Sequence, residues 1–434
     1  MGDNRDKLGL GLATMLVAGN MIGSGIYLLP ASLALIGGIS LAGWAVAAVG
    51  ALLLAAVFGW LAVLRPGADG LAGLVGEQLG RLVGFQTAQF YWLNAWIGNI
   101  AIAVAVTGYL AFFFPALRGT WPGAVTTAAM IWVATIINIV GVRFAGRFDG
   151  LTLIVGLVPI VAVGVFGWLW FDPALFAAAW NVSGSAPSEA VRTSVAIVFW
   201  AFLGMESANV AAAVVKNPGR NVPLATVGGV ALAAVVYIAA FAAIMGLLPA
   251  DRMAASTAPF ADAVARIVGP AAAALVAACA TAKALGTLNG WVLVAAETTR
   301  WTAAAGFLPR WLAQRSAHGT STRALLAMAA LMTVAVLATA SPTLGEQFGL
   351  MINLAVILSL MVYLYCSLAL LRMSGEMPAN RRLMVRVVAV LAMLFSLGVA
   401  LEAGTQALIF AAVLIAVTVV AWPMIRRAAP ARPE

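Results

Sequence analysis

Twelve apolar stretches, each about as long as a helix needs to cross a bilayer, run through this chain from residue 10 to residue 424. A spanning helix takes ~20 residues at ~1.5 Å rise each to cover the hydrocarbon core. The stretches fall at 10–36, 40–63, 84–115, 122–142, 150–171, 193–215, 222–248, 269–298, 324–341, 348–371, 384–401 and 404–424. Several exceed the minimum, which predicts tilt or a break. Charged residues make up 9% of the chain, against about 25% in soluble domains. The expectation is an all-α polytopic membrane protein, one transmembrane domain over 1–434, with lipid as its main surroundings. No soluble domain fits in the longest loops, 171–193 and 300–323.

Charge orients the chain. With the N-terminus inside, the inner segments hold 19 of the 24 Lys and Arg residues. The outer ones hold only Arg118, Arg192, Arg252 and Arg266, and Lys283 falls within a span. The positive-inside rule then places both termini in the cytoplasm, in a bacterial inner membrane. The net charge of +9 is this asymmetry; it is no nucleic-acid footprint. One histidine, His318, and two cysteines in apolar runs, Cys279 and Cys366, supply neither a metal-ligand set nor a disulfide pattern. No metal, no cofactor and no catalytic residue is expected. The segment MGDNRDKLGL has no cleavable signal pattern.

Two spans carry poor helix material at mid-depth. The first holds Gly23-Ser24-Gly25 within GNMIGSGIYLLP, and the sixth holds Gly204-Met205-Glu206 within WAFLGMESAN. Glycine costs ~1 kcal/mol against alanine inside a helix. Broken backbone is tolerated at this depth only where protein or a watery cavity satisfies it. Taken alone, the Gly-Ser-Gly stretch reads equally as a close helix-packing surface. Paired with a second break five spans later, it reads as the mark of a transporter with inverted repeats. Freed N–H groups suit a carboxylate and freed carbonyls suit an ammonium or guanidinium; an amino acid presents both ends.

The stretches GNMIGSGIYLLP, YWLNAWIGNIA (91–101), FWAFLGMESANVAAAVVKNPGRNVP (199–223), STAPFADA (256–263) and LGTLNGWVLVAAE (285–297) resemble the amino acid–polyamine–organocation superfamily. The likeness is strongest to its basic amino acid/polyamine antiporters, the arginine/agmatine exchangers above all. It runs from about residue 8 to the last span. It implies a LeuT-like fold: twelve transmembrane helices, a five-plus-five inverted repeat over roughly 8–171 and 190–372, helices 1 and 6 broken, and two extra helices at about 384–424. It also implies a homodimer in many cases.

Trp200 and Trp291 stand in mid-span, where tryptophan is uncommon. Each reads as packing or as a wall for a cation, a contact worth ~2 kcal/mol or more when desolvated. The family resemblance makes Trp200 an outer lid and Trp291 a middle gate. Glu206 is a carboxylate within a span and so a functional candidate by default. Tyr91, Ala95, Asn99 and Ile102 fall at about 0°, 40°, 80° and 20° on one helix face. The resemblance groups Tyr91, Glu206 and Tyr363 as a cytoplasmic gate linked to acid activation. It brings Met21, Gly23, Ser24, Gly25, Asn94, Ala95, Asn99, Ile102, Trp200, Leu203, Trp291 and Ala355 to the substrate.

The departures lie where a substrate's side chain would rest. The arginine/agmatine exchangers have Ala, Cys and Met where this chain has Asn94, Ala95 and Ile102. They have Ile at the places of Met21 and Leu203, Ser at Ala355, and a small residue at Lys283. A mid-span lysine costs ~3 kcal/mol unless paired or wetted. Lys283 reads as a substitute for a bound cation, a proton-coupling group beside Glu206, a repeller of cationic substrate, or a side chain snorkelling to an outer cavity. The resemblance implies exchange of an extracellular basic amino acid, arginine best, for its decarboxylated amine. A proton-coupled carrier of neutral amino acids or polyamines on the same fold is the alternative.

Overall fold

The computed structural model describes residues 9–23, 25–65, 70–206, 215–314 and 321–428, with the backbone alone for 142–147 and 426–428. Among them the regular structure is helical throughout. The first half comprises α1 (Leu10–Met21), α2 (Gly25–Ala34), α3 (Ser40–Leu64), α4 (Gly70–Leu79), α5 (Arg81–Phe113), α6 (Thr120–Val140), α7 (Val142–Phe166) and α8 (Pro173–Ala178). The second comprises α9 (Pro187–Phe199), α10 (Pro218–Met245), α11 (Ala250–Ala254), α12 (Pro259–Ile267), α13 (Pro270–Ala304), α14 (Thr322–Ala338), α15 (Leu344–Met373), α16 (Ala379–Glu402) and α17 (Thr405–Ala428).

Among the described residues nine helices are long and apolar enough to cross a membrane, and α1 with α2, bent by 45°, make a tenth. The other two expected spans take different forms. The stretch 324–341 is α14, 17 residues long, hence only ~26 Å. The stretch 193–215 begins as the end of α9 and the tight turn Trp200–Phe202; residues 207–214 lie outside the described residues. The two longest spans are α5 with 33 residues and α13 with 35, each ~50 Å, so both tilt or project past the hydrocarbon.

The long helices set the centre. α5 packs along both α13 and α15, α3 and α1 pack on α10, and α7 lies along α13. Of the apolar windows, that of α5 is 78% buried and that of α17 is 11% buried, so α5 is scaffold and α17 is periphery.

Both breaks have visible local causes. α1 ends where the Ile22 N–H donates to Ala18 O and the Gly23 N–H turns back to Met21 O at 2.7 Å. A Cβ at Gly23 would lie 2.7 Å from Thr287 Cγ2 on α13, so only glycine fits this approach. After α9 the chain passes through the Trp200–Phe202 turn to an extended Leu203, then to Gly204 at φ +102°. That φ is open to glycine and costly for other residues.

α16 is wedged into the bundle. The Phe395 ring fills the space that a side chain at Gly50 on α3 would take. It also meets the edge of Phe199, the last residue of α9, at 5.4 Å between centroids. Arg192 on α9 pairs with Glu402 at the end of α16 at 3.0 Å. The opposite side of α16 bears exposed Leu383, Leu394 and Leu401. Past the end of α3, Arg65 donates both terminal nitrogens to Glu376 at 2.8 and 2.9 Å. The neighbouring carboxylate holds the Arg65 guanidinium above its usual range.

Candidate substrate site between the broken helices

The two breaks open on one cavity of about 40 Å³, room for about three waters. Met21, Gly23, Gly25, Asn94, Ala95, Ile102, Trp200, Leu203 and Trp291 line it. Asn99 and Ala355 are buried but are not among its lining, and Ser24 lies outside the described residues. Asn20, Gly98, Ala201 and Thr287 complete the wall. An amino acid enters only if these walls part, because the cavity is smaller than any such substrate.

Glycines set the tryptophans in place. The Trp200 indole crosses the start of α2, with its Nε1 at 3.1 Å from where a Gly25 Cβ would stand, and its far edge lies 3.4 Å from where a Gly98 Cβ on α5 would stand. Phe348 of α15 meets it at right angles, 6.5 Å between centroids. Trp291 leans on the second break, its Cζ2 at 3.1 Å from a Cβ built on Gly204. Asn99 Nδ2 donates to the Trp291 carbonyl at 3.0 Å. Asn99 therefore ties α5 to α13 behind the tryptophan instead of facing the cavity. Asn94 takes the polar position in the wall. Its Oδ1 is buried with no hydrogen-bond partner among the described residues, and a buried acceptor without a donor costs ~1–3 kcal/mol. A ligand ammonium is the kind of group that would relieve that cost.

Below the cavity Glu206 is 2% exposed and accepts three hydrogen bonds. Tyr363 Oη donates to its Oε2 at 2.6 Å, the Gly204 N–H to the same oxygen at 3.2 Å, and Tyr91 Oη to Oε1 at 3.4 Å. No ion pair reaches it among the described residues. The carboxylate thus bridges α5 and α15 across the second break, and Phe58 packs edge-on against Tyr363 at 5.0 Å.

Lys283 is 4% exposed on α13. Its Nζ donates to Thr287 Oγ1 at 3.0 Å and to Gly19 O at 3.4 Å. The ammonium thus lies at the C-terminal end of α1, where unpaired carbonyls and the helix dipole favour a cation. It does not line the cavity; Thr287 stands between. Thr287 was open to sequence reasoning as the residue one helical turn beyond Lys283. Gly98 carries no chemical signal of its own, and only its packing against Trp200 marks it.

The amino acid permease family matches residues 8–429. The chain is 38% identical over 374 residues to the cadaverine/lysine antiporter of Escherichia coli (strain K12), covering 85% of this chain and 84% of that one. It is 32% identical over 426 residues to the putrescine transporter PotE of Haemophilus influenzae, covering 98% and 97%. With the PotE of Escherichia coli (strain K12) the identity is 30% over 421 residues, 96% and 95% of the two chains. The helices, the cavity and these relatives converge: the chain belongs to the amino acid permease family, among its basic amino acid and polyamine antiporters, and is a multi-pass membrane transporter and not an enzyme.

Proposed function

We propose that the chain is an antiporter that takes up an extracellular basic amino acid and releases its decarboxylated amine. The observation that carries this reading is the cavity between the two breaks, with tryptophan walls and the unpartnered Asn94 Oδ1. The amino acid's carboxylate meets the first N–H groups of α2, which a helix leaves without internal partners. The cationic tail lies between Trp200 and Trp291 and reaches Asn94. Asn99, Ile102, Leu203 and Ala355 shape the space around it from behind or beside the wall. Asn94 is a neutral acceptor, so it receives a terminal ammonium without adding a charge of its own.

The relatives' names favour lysine for cadaverine as the first pair to test, ahead of arginine for agmatine. Lysine bears one net positive charge and cadaverine two, so each cycle exports one positive charge. Tyr91, Glu206 and Tyr363 form the inner gate, with Glu206 sensing protons. The two breaks, five spans apart, support the inverted repeat, and the charge count supports cytoplasmic termini. Pairing of two copies is expected and is read by native mass spectrometry.

The test is exchange by the purified chain in liposomes loaded with cadaverine, agmatine or putrescine, with labelled lysine, arginine or ornithine outside, at two pH values. Lysine uptake that requires internal cadaverine is the expected result. Trp291→Leu is expected to abolish it; undiminished exchange by that variant would remove the site assignment. Uptake into empty liposomes driven by a proton gradient would replace antiport with proton-coupled import.

A further inference from the structure

Outside the cavity, α7 and α13 bring two ionisable side chains of opposite sign to one seam. The helices run antiparallel in constant register. Asp149 meets Asn289 and Gly290, Thr152 meets Gly286, and Gly156 meets Lys283. Glycine at three of these places lets the backbones close: the Lys283 methylenes occupy the side-chain position of Gly156, and Thr152 occupies that of Gly286. Lys283 then runs along α13 toward the Asp149 end, where its Nζ meets Thr287 and Gly19 O. Asp149 Oδ1 accepts from Asn289 Nδ2 at 2.7 Å, and Asn138 of α6 holds Asn289 through its side-chain and main-chain oxygens, both at 2.9 Å. The two side chains share this seam without a direct ion pair among the described residues. Asp149 is half-buried while Lys283 is 4% exposed, so water reaches the carboxylate first.

The other groups around the pair are few. Tyr27 of α2 donates its hydroxyl to Gly156 O, and the Cys279 thiol stands one turn before Lys283. α6 presents Asn138, and α1 presents backbone and Gly19, on which Leu153 packs. α10 packs on α7 through Ala240 against Gly164. Arg143 and Arg147 stand in the first turns of α7. Thr287 joins the seam to the first break, with its methyl against Gly23.

We propose that Asp149 and Lys283 form a proton-holding pair at the α7–α13 seam that exchanges one proton with water at the Asp149 end and reports its state to the break of the first span through Gly19 and Thr287. In the charged state Lys283 carries the proton and donates to Gly19 O. Transfer of that proton to Asp149 through intervening water leaves a neutral amine and a neutral carboxylic acid, with no change in net charge. Release from Asp149 to water then leaves carboxylate and amine, one proton fewer, and the Gly19 carbonyl loses its cationic donor. A single charge here would cost ~3 kcal/mol; a pair that shares a proton has a neutral form available in the membrane. This proton site is separate from Glu206 and does not depend on which amine is carried.

Two substrate-free measurements on the full chain in micelles test it. Infrared titration is expected to show a carboxylic acid band that Asp149→Asn removes and that Glu206→Gln leaves in place. Lys283→Met is expected to move its midpoint by about one pH unit or more, as loss of a neighbouring charge does, and Lys283→Arg, whose guanidinium keeps its proton throughout, does not restore the wild-type midpoint. Amide exchange of residues 17–23, corrected for intrinsic rates, is expected to follow the same midpoint and to lose that dependence in Thr287→Val. The double variant Asp149→Asn/Lys283→Met removes both charges and serves as the well-folded control. A band with the same midpoint in wild type and Lys283→Met overturns the pair, and exchange at 17–23 blind to that midpoint overturns its link to the break. Absence of amine exchange by wild-type liposomes would instead count against the transport reading and leaves both readouts intact.

Discussion

At the first break a bared carbonyl, Gly19 O, meets the Lys283 ammonium, which arrives from α13. At the second a bared N–H, that of Gly204, meets the Glu206 carboxylate two residues further along the same chain. Broken backbone needs a partner at either place, and each partner has the sign opposite to the backbone dipole it faces. The difference lies in ownership. The partner at the second break travels with the break, and its hold on the rest of the bundle passes through Tyr91 and Tyr363. The partner at the first break belongs to the scaffold, so that break feels what happens at the α7–α13 seam. One break is latched by tyrosines and the other is moored to a lysine.

The largest effect separating the two should come from Glu206→Ala. It strips an acceptor from two tyrosine hydroxyls and one N–H, each orphan costing ~1–3 kcal/mol. Exchange should vanish at every pH and thermal stability should fall, whereas Glu206→Gln should retain stability and flatten the pH profile. Gly204→Ala comes next. It forces a side chain into left-handed backbone at ~1–2 kcal/mol and pushes on Trp291, so an approximately tenfold slower exchange is expected in the liposome assay. Gly23→Ala should cost ~2 kcal/mol through overpacking against Thr287. Thr287→Ala added to it should recover at least half of that loss in a melting experiment; a purely additive double variant would show that the first break is not moored through α13. The smallest effect is Arg65→Ala. Its pair with Glu376 is solvent-exposed, so a change below ~1 kcal/mol is expected, with exchange unaltered.

Much of this was legible in the sequence because lipid leaves few choices. Apolar run lengths predicted a polytopic helical chain, of which up to ten spans stand among the described residues, and mid-depth glycines marked the places where α1 and the Trp200 turn end. Tyr91, Glu206 and Tyr363, expected to act together, do share hydrogen bonds. What stayed hidden is what a helix face meets. The wheel put Asn99 at the edge of the Tyr91 stripe, but only the neighbouring α13 makes that edge a contact with the Trp291 carbonyl. Asp149 and Asn289 are 140 residues apart, and no local pattern joins them. The stretch 324–341 was read at full span length, yet α14 stops at Ala338, because apolarity alone does not say where a helix ends.

The Phe395 wedge carries a further consequence, a mechanical one. α16 has one side in the hydrocarbon chains and the other on Phe199, the residue just before the Trp200 turn. A change in acyl-chain length alters the tilt that suits such a helix, and the Phe395 ring delivers that tilt to the base of the Trp200 turn. Turnover is therefore expected to be tuned by the lipids in which the carrier sits, with the thickness of the membrane acting as a dial on the same joint that the substrate must open.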